Sequence, residues 1–173
     1  RIIDVVLSIP YLLFAIALVS VLGHSINLWI VMVVIAAFGW ASVGRIIRGQ
    51  VLSIREREYI EAARSLGASD WRIIFVDILP NVIAPAIVFS TLLLPVSIVS
   101  EAALSFLGIG VQPPTADWGE MISTAQQYVS SGVAWWYLFF PSAALVVTTL
   151  AFNILGDGVR DAFDPRSERL FAK

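Results

Sequence analysis

The strongest constraint on the fold is an uncharged run near the start of the chain. Residues 5–23 carry no charged side chain over about 19 positions, which as an α-helix is enough to cross roughly 30 Å of hydrocarbon. It is the first of four predominantly apolar segments, and we predict membrane spans at about residues 5–23, 28–47, 82–103 and 133–155. The pattern predicts an all-α, polytopic membrane protein with cytoplasmic helices between its spans.

The composition supports a membrane environment. Only 14% of the 173 residues are charged, against roughly 25% in a typical soluble domain, and the mean hydropathy is +0.85. A soluble domain of this length could not bury so much apolar surface. We therefore expect the lipid membrane to surround the chain, and we expect no nucleic-acid partner.

Prolines in two of the predicted spans are candidate kink positions. Pro10 lies in the first, and Pro85 and Pro95 lie in the third. Proline removes a backbone donor and kinks a helix, which membrane proteins tolerate where neighbouring groups satisfy the freed carbonyl. Ordinary packing kinks and gating elements are both compatible with this pattern.

The longest hydrophilic stretch covers residues 53–80 and reads as two amphipathic helices hinged at Gly67. Ser53 and Glu56 match a capping box for the first helix, and Ser69 is a candidate N-cap for the second. Pro80 is expected to end the second helix. The apolar faces are predicted from residues at helical spacing: Tyr59, Ile60, Ala63 and Leu66 in the first helix, and Trp71, Ile74, Phe75 and Ile78 in the second.

The basic residues all fall on one predicted side of the membrane. The eleven are Arg1, Arg45, Arg48, Arg55, Arg57, Arg64, Arg72, Arg160, Arg166, Arg169 and Lys173. With four spans, the segments that carry them share a face, and the positive-inside rule places that face in the cytoplasm. Residues 53–80 and both ends of the chain are thus predicted to be cytoplasmic, and residues 108–132 external.

The residues of a catalytic or nucleotide-binding site are missing from the sequence. Lys173 is the only lysine and no phosphate-binding glycine loop is present, so we do not expect this chain to bind ATP by that route. His24 is the single histidine and there is no cysteine, which disfavours a metal or nucleophile site. We therefore expect no cofactor, no metal and no enzymatic activity in this chain.

The hydrophilic stretch carries a recognisable motif. Glu61-Ala62-Ala63, followed by Gly67 and closed by Leu79-Pro80, resembles the Glu-Ala-Ala loop of permease subunits in binding-protein-dependent ABC importers. Asp77 stands where the general pattern of the family has isoleucine, a departure at one position.

The resemblance extends over nearly the whole chain. The matching segments are residues 4–10, 48–53, 55–59, 101–114, 118–119 and 155–165. They are similar to the dipeptide, oligopeptide and nickel branch of that family, and within it to the second, C-type permease subunit. Residues 1–173 would form the C-terminal part of a type I importer transmembrane domain, with further spans expected before Arg1.

The resemblance implies roles for individual residues. Coupling to an ATPase would involve Arg57, Tyr59, Glu61, Ala62, Ala63, Gly67, Leu79 and Pro80. Helix kinks or gates would lie at Pro10, Pro85 and Pro95, and an external region would include Glu101, Pro113, Pro114 and Trp118.

The resemblance also implies partners and a location. The partners would be cytoplasmic ABC ATPase subunits, a paralogous second permease forming a heterodimer, and an extracytoplasmic substrate-binding protein. The location would be a bacterial or archaeal cytoplasmic membrane.

Several functions remain open at this stage. Import of dipeptides or oligopeptides is the main hypothesis, and the same architecture could carry nickel, glutathione or another small solute. A secondary carrier is disfavoured because charged residues are scarce within the predicted spans. A membrane-embedded enzyme is disfavoured because no nucleophile and acid–base set can be assembled.

Overall fold

A computed structural model describes residues 1–22, 28–130, 132 and 134–163, and all regular structure within those ranges is helical. The helices are α1 (Ile2–Ser8), α2 (Tyr11–Leu22), α3 (Leu28–Arg55), α4 (Glu58–Ser65), α5 (Asp70–Arg72), a π-helix (Ile73–Ile78), α6 (Leu79–Phe106), α7 (Trp118–Ser130) and α8 (Trp135–Phe163). The predicted all-α fold class is confirmed.

Three helical stretches in the described residues are long and apolar enough to cross a membrane. They are Leu28–Arg55, Asp70–Phe106 and Trp135–Phe163, which overlap the second, third and fourth predicted spans and extend beyond them. Few of their side chains are buried inside the chain, so most of their apolar surface is left for lipid or other subunits. The chain is a multi-pass membrane protein.

The first apolar run forms two helices rather than one. α1 ends at Ser8, Ile9 has extended backbone (φ −87°, ψ 121°), and α2 begins at Tyr11. Pro10 causes the break, because its ring excludes the residue before it from helical conformation. α2 contains 12 residues, and the predicted link from His24 to Asn27 lies outside the described residues.

α6 is the central helix and contacts α3, α7 and α8. One core cluster joins α2, α3 and the end of α6 through Ala15, Val31, Val34 and Leu104. α8 approaches α6 closely at Gly156, where an added Cβ would lie 3.1 Å from Leu92. α1 is joined to α3 by an ion pair, in which the Arg45 guanidinium donates a 2.7 Å hydrogen bond to the Asp4 carboxylate.

The predicted capping box at Ser53 and Glu56 is wrong. α3 continues through Arg55, so Ser53 lies inside a helix, and the N-cap of α4 is Arg57, which makes no side-chain capping bond. The helix extends because it remains amphipathic beyond the predicted span. Three of its side chains, at Ile47, Val51 and Ile54, pack against a buried cluster that includes residues of the following helices.

The prediction that Pro80 ends the second helix is also wrong. The helix runs without interruption from Asp70 to Phe106, and Pro80 lies in the first turn of α6, directly after the π-helix. Proline is tolerated in the first turn of a helical segment, where its missing N–H is least costly.

The π-helix also changes the predicted apolar stripe. Of the expected set only Ile78 is buried, whereas Trp71, Ile74 and Phe75 are exposed. Ile73, which was not predicted to face the core, is buried as well. Residues five apart are about 140° apart around an α-helix of 3.6 residues per turn, but the i→i+5 bonding of a π-helix brings them onto the same face. Ile73 and Ile78 therefore share one buried face.

Candidate functional site

One buried side chain anchors α4 to the helices around it. Ile60 is 0% exposed and packs with Ile73, Ile78 and Val82, which follow it in the chain. Helix α3 packs against the same cluster through Ile47, Val51 and Ile54. The predicted apolar face of α4 is thus narrower than expected, because Tyr59 and Leu66 remain exposed. We call residues 57–69 the α4 segment.

Gly67 ends α4 as predicted, and the hydrogen bonds explain why glycine is required. Its φ is +81°, a left-handed conformation that side chains with a Cβ rarely adopt. Its N–H donates to the Arg64 carbonyl at 2.9 Å, and the Ala68 N–H donates to the Ala63 carbonyl at 3.0 Å. This pair of bonds is a Schellman motif, which reverses the chain within two residues.

The next helix begins at Ser69, also as predicted. Its Oγ accepts a 3.4 Å hydrogen bond from the Arg72 N–H, and Asp70 lies in the first turn. Acidic residues near a helix N-terminus interact favourably with the helix dipole. The turn between the two helices is therefore defined at both ends by local hydrogen bonds.

The motif residues lie on the outer surface of α4. Glu61 and Ala62 are exposed, Ala63 is half-buried, and Arg57 is exposed at the N-cap. A carboxylate beside two small side chains can form a directional, charge-assisted contact with a partner that approaches closely. Anchoring by Ile60 on the opposite side leaves this surface free within the described chain.

A crevice of about 770 Å³ adjoins the α4 segment. It is lined by Ile54, Glu56, Arg57, Glu58, Tyr59 and Asn81. The predicted coupling residues Arg57 and Tyr59 thus share one concave surface. Leu79 and Pro80, the other predicted coupling residues, start α6 immediately before Asn81. Sequence reasoning missed Asn81, whose only signal is its position after the Leu-Pro pair.

A second polar cluster lies where α6 ends. The half-buried Glu101 accepts a 2.8 Å hydrogen bond from the Ser105 hydroxyl, and the Ser105 oxygen accepts a 3.0 Å bond from the Val111 N–H. The Glu101 and Asp117 side chains line the same cavity. Asp117 also accepts a 2.9 Å bond from the Glu120 N–H and so caps α7. Ser105 and Asp117 were not predicted from the sequence.

The other predicted external residues lie in the loop after α6 and at the start of α7. Pro113 and Pro114 are exposed in the loop after α6, joined by a cis peptide bond. Trp118 is the first residue of α7 and is 36% exposed. Residues 118–130 of this predicted external region form α7.

A cavity of about 910 Å³ opens between α3, α6 and the start of α7. Its wall is largely apolar, and Glu101 and Asp117 are its acidic lining residues. A volume near 900 Å³ falls within the range of small-molecule pockets, roughly 300–1,000 Å³. The structure therefore brings Glu101 next to a space that could hold a solute.

The predicted kink residues occupy different environments. Pro10 separates α1 from α2, while Pro85 and Pro95 lie inside the continuous α6. Pro95 is buried and Pro85 is half-buried. Pro141, inside α8 and also buried, was not singled out from the sequence.

Comparison with known proteins agrees with the architecture. Residues 1–169 match the family described as "Binding-protein-dependent transport system inner membrane component". The chain is 44% identical over 169 residues to the dipeptide transport system permease protein DppC of Bacillus subtilis, covering 98% of this chain and 52% of that protein.

Two further relatives are of similar closeness. The glutathione transport system permease protein GsiD of Salmonella typhimurium is 45% identical over 168 residues, covering 96% of this chain and 54% of that protein. The dipeptide permease DppC of Alkalihalophilus pseudofirmus is 43% identical over 166 residues, covering 96% of this chain and 53% of that protein. The chain thus spans about half the length of the relatives it matches. Matched over almost all of its residues, the chain belongs to the family of inner-membrane components of binding-protein-dependent transport systems.

Proposed function

We propose that this chain is the C-terminal part of a permease subunit in an ATP-driven importer, and that its cargo is a peptide. The observation that carries the proposal is the α4 segment. Glu61 and Ala62 are exposed on its surface, while Ile60 packs against the helices that lead into a membrane span. A partner that binds this surface is mechanically connected to the membrane part of the chain.

The proposed partner of the α4 segment is a cytoplasmic ABC ATPase subunit. The chain has no phosphate-binding loop of its own, so the energy for transport would come from another subunit. Glu61 would pair with a basic residue there, and Ala62 and Ala63 would allow close approach. Arg57 and Tyr59 would contact the partner at the crevice, with Leu79 and Pro80 at the entry to α6.

The remaining partners and the orientation follow from the same proposal. The α4 segment would face the cytoplasm, because the basic residues cluster on its side of the membrane. The region of Pro113, Pro114 and Trp118 would meet an extracytoplasmic substrate-binding protein. A paralogous second permease would cover part of the exposed apolar surface, and Pro85 and Pro95 would let α6 bend during transport.

Two cargo types deserve direct comparison. The dipeptide permeases and the glutathione permease are about equally similar to this chain, and glutathione is itself a small peptide. Uptake of radiolabelled dialanine and of radiolabelled glutathione, each by the complete importer in proteoliposomes with ATP, would distinguish the two. Failure of both peptides, with uptake of a non-peptide solute such as nickel, would overturn the proposed cargo class.

The docking role is tested by charge reversal at Glu61. In the complete importer, Glu61→Lys is expected to abolish ATP-driven uptake and to weaken co-purification of the ATPase, while insertion into the membrane is retained. Asp157→Lys is the matched control, because Asp157 is an exposed acidic residue on α8, outside the α4 segment, and should leave uptake unchanged.

A second variant addresses the turn. Gly67→Pro cannot adopt the φ of +81°, since proline fixes φ near −65°, and it is expected to abolish uptake as well. Near-normal uptake and ATPase stimulation in both Glu61→Lys and Gly67→Pro would rule out the coupling assignment.

A further inference from the structure

The α4 segment is joined to a membrane span through a π-helix, and this junction has unusual hydrogen bonding. The Leu79 N–H donates to the Ile74 carbonyl, five residues back, and Pro80, which has no N–H, follows at once. Asn81 then donates its side-chain Nδ2 to the Asp77 carbonyl at 2.7 Å. A side chain thus supplies a hydrogen bond where the backbone changes from π- to α-helical pairing.

Packing on one face of the turn favours the π-helical form, whereas the opposite face is exposed. On one side, the π-helix aligns Ile73 and Ile78 with Ile60 in the buried cluster. On the other side, Ile74 and Val76 are exposed, so little packing within the described chain opposes a change there. Mid-helix π turns are less stable than α-helix and are frequently found at functional sites.

Asn81 connects this junction to the crevice. Its side chain lines the crevice together with Arg57 and Tyr59, and the same side chain holds the Asp77 carbonyl. A partner that enters the crevice would therefore touch the group that stabilises the turn. The Asn81 side-chain amide therefore links partner contact at the α4 segment to the helix geometry at the start of α6.

We propose that the π-helical turn Ile73–Ile78 is a movable joint between the α4 segment and α6, with Asn81 as its positioning residue. Motion of the α4 segment would change the pairing of the turn between π and α forms. A shift of one residue in an α-helix corresponds to about 100° of rotation and 1.5 Å of translation, so a partial change at the joint would reorient α6. This inference rests on the proposed coupling function.

Hydrogen exchange of the complete importer tests the joint directly. Amides of residues 73–79 are expected to exchange about tenfold faster or slower with ATP trapped on the ATPase than without nucleotide, since local opening sets exchange rates. Residues 143–152 in α8 serve as the internal reference and should not change. Equal exchange of residues 73–79 in both states would show that the turn is a fixed structural feature.

Substitution of Asn81 tests its positioning role. Asn81→Leu removes the donor, and the number of peptides imported per ATP hydrolysed is expected to fall by about two- to tenfold, the range that the loss of one hydrogen bond corresponds to in an equilibrium constant. The control is Asn153→Leu in α8, because the Asn153 Nδ2 makes the same bond to a carbonyl four residues back, Thr149, at 3.0 Å. It should leave this ratio unchanged.

A conservative variant separates positioning from general damage. Asn81→Ser should restore the ratio, since a serine hydroxyl can bond the carbonyl four residues back, as Ser100 does to Val96 at 2.7 Å in the same helix. If Asn81→Leu keeps the wild-type ratio, or if Asn81→Ser fails to restore it, the positioning role is refuted. Should Glu61→Lys abolish uptake while residues 73–79 are unresponsive to ATP, the coupling function would stand and only the joint would fail.

Discussion

Gly119, the second residue of α7, lies directly against the backbone carbonyl of Ala102 in α6. A Cβ added at Gly119 would overlap that carbonyl group and its neighbouring atoms. Two helices separated by the loop after α6 thus touch through their backbones. The contact holds the start of α7, which Asp117 caps, against α6.

Substitution of Gly119 by alanine is expected to destabilise the α6–α7 contact. Forcing a methyl group into a packed interface costs about 1–3 kcal/mol, so the melting temperature of the purified importer should fall. Gly158→Ala is the control, because an added Cβ at Gly158 in α8 meets nothing within 4 Å and alanine favours helix. Equal melting temperatures for the two variants would contradict the close contact.

Substitution of Ser105 by alanine tests the polar cluster at the end of α6. Ser105 is buried, and its oxygen is the acceptor for the Val111 N–H. Ser105→Ala leaves that buried donor without a partner, at a cost of about 1–3 kcal/mol. Ser100→Ala should be almost neutral, since its hydroxyl bonds a helix carbonyl at an exposed site. Thermal unfolding of both variants provides the measurement, and a smaller loss for Ser105→Ala than for Ser100→Ala would speak against the cluster.

Truncation of Ile60 tests the anchor of the α4 segment. Ile60→Ala removes a fully buried side chain and should weaken the attachment of α4 by about 2–5 kcal/mol. Faster hydrogen exchange in residues 58–66, with unchanged exchange in α8, is the expected result. Leu66→Ala is the control, because Leu66 is 88% exposed. If both variants exchange alike, Ile60 does not hold the segment.

The proposed orientation is tested by cysteine labelling. The sequence contains no cysteine, so Ser53→Cys and Gln126→Cys add unique thiols to this part of the permease. With any upstream cysteines replaced, an impermeant maleimide should label Gln126→Cys in intact cells and Ser53→Cys only after permeabilisation. Labelling of Ser53→Cys from outside would reverse the topology.

Local patterns predicted the ends of α4 and the start of the next helix. Gly67 and Ser69 act through hydrogen bonds to residues no more than a few positions away, so their effect can be predicted from the neighbouring sequence. The capping box at Ser53 satisfied the same local rule and was still wrong. Burial of Ile47, Val51 and Ile54 stabilises a longer α3, and such tertiary packing outweighs a cap of about 1 kcal/mol.

Pro80 shows a second limit of local rules. Proline usually ends a helix because it lacks a donor and clashes with the preceding turn. Here the π-helix in front of it changes the backbone pairing, and Asn81 supplies a side-chain donor. Neither feature has a sequence signature that periodicity could detect.

The sequence by itself determined the all-α membrane class, the long apolar helices and the family, because helix length, hydropathy and motif spacing are properties of consecutive residues. The tertiary structure alone placed Asn81 in a crevice with Arg57 and Tyr59, and Gly119 on Ala102. These relationships join residues on different helices. They depend on how the helices pack against one another, and a pattern confined to one helix carries no information about the distance between residues on two different helices.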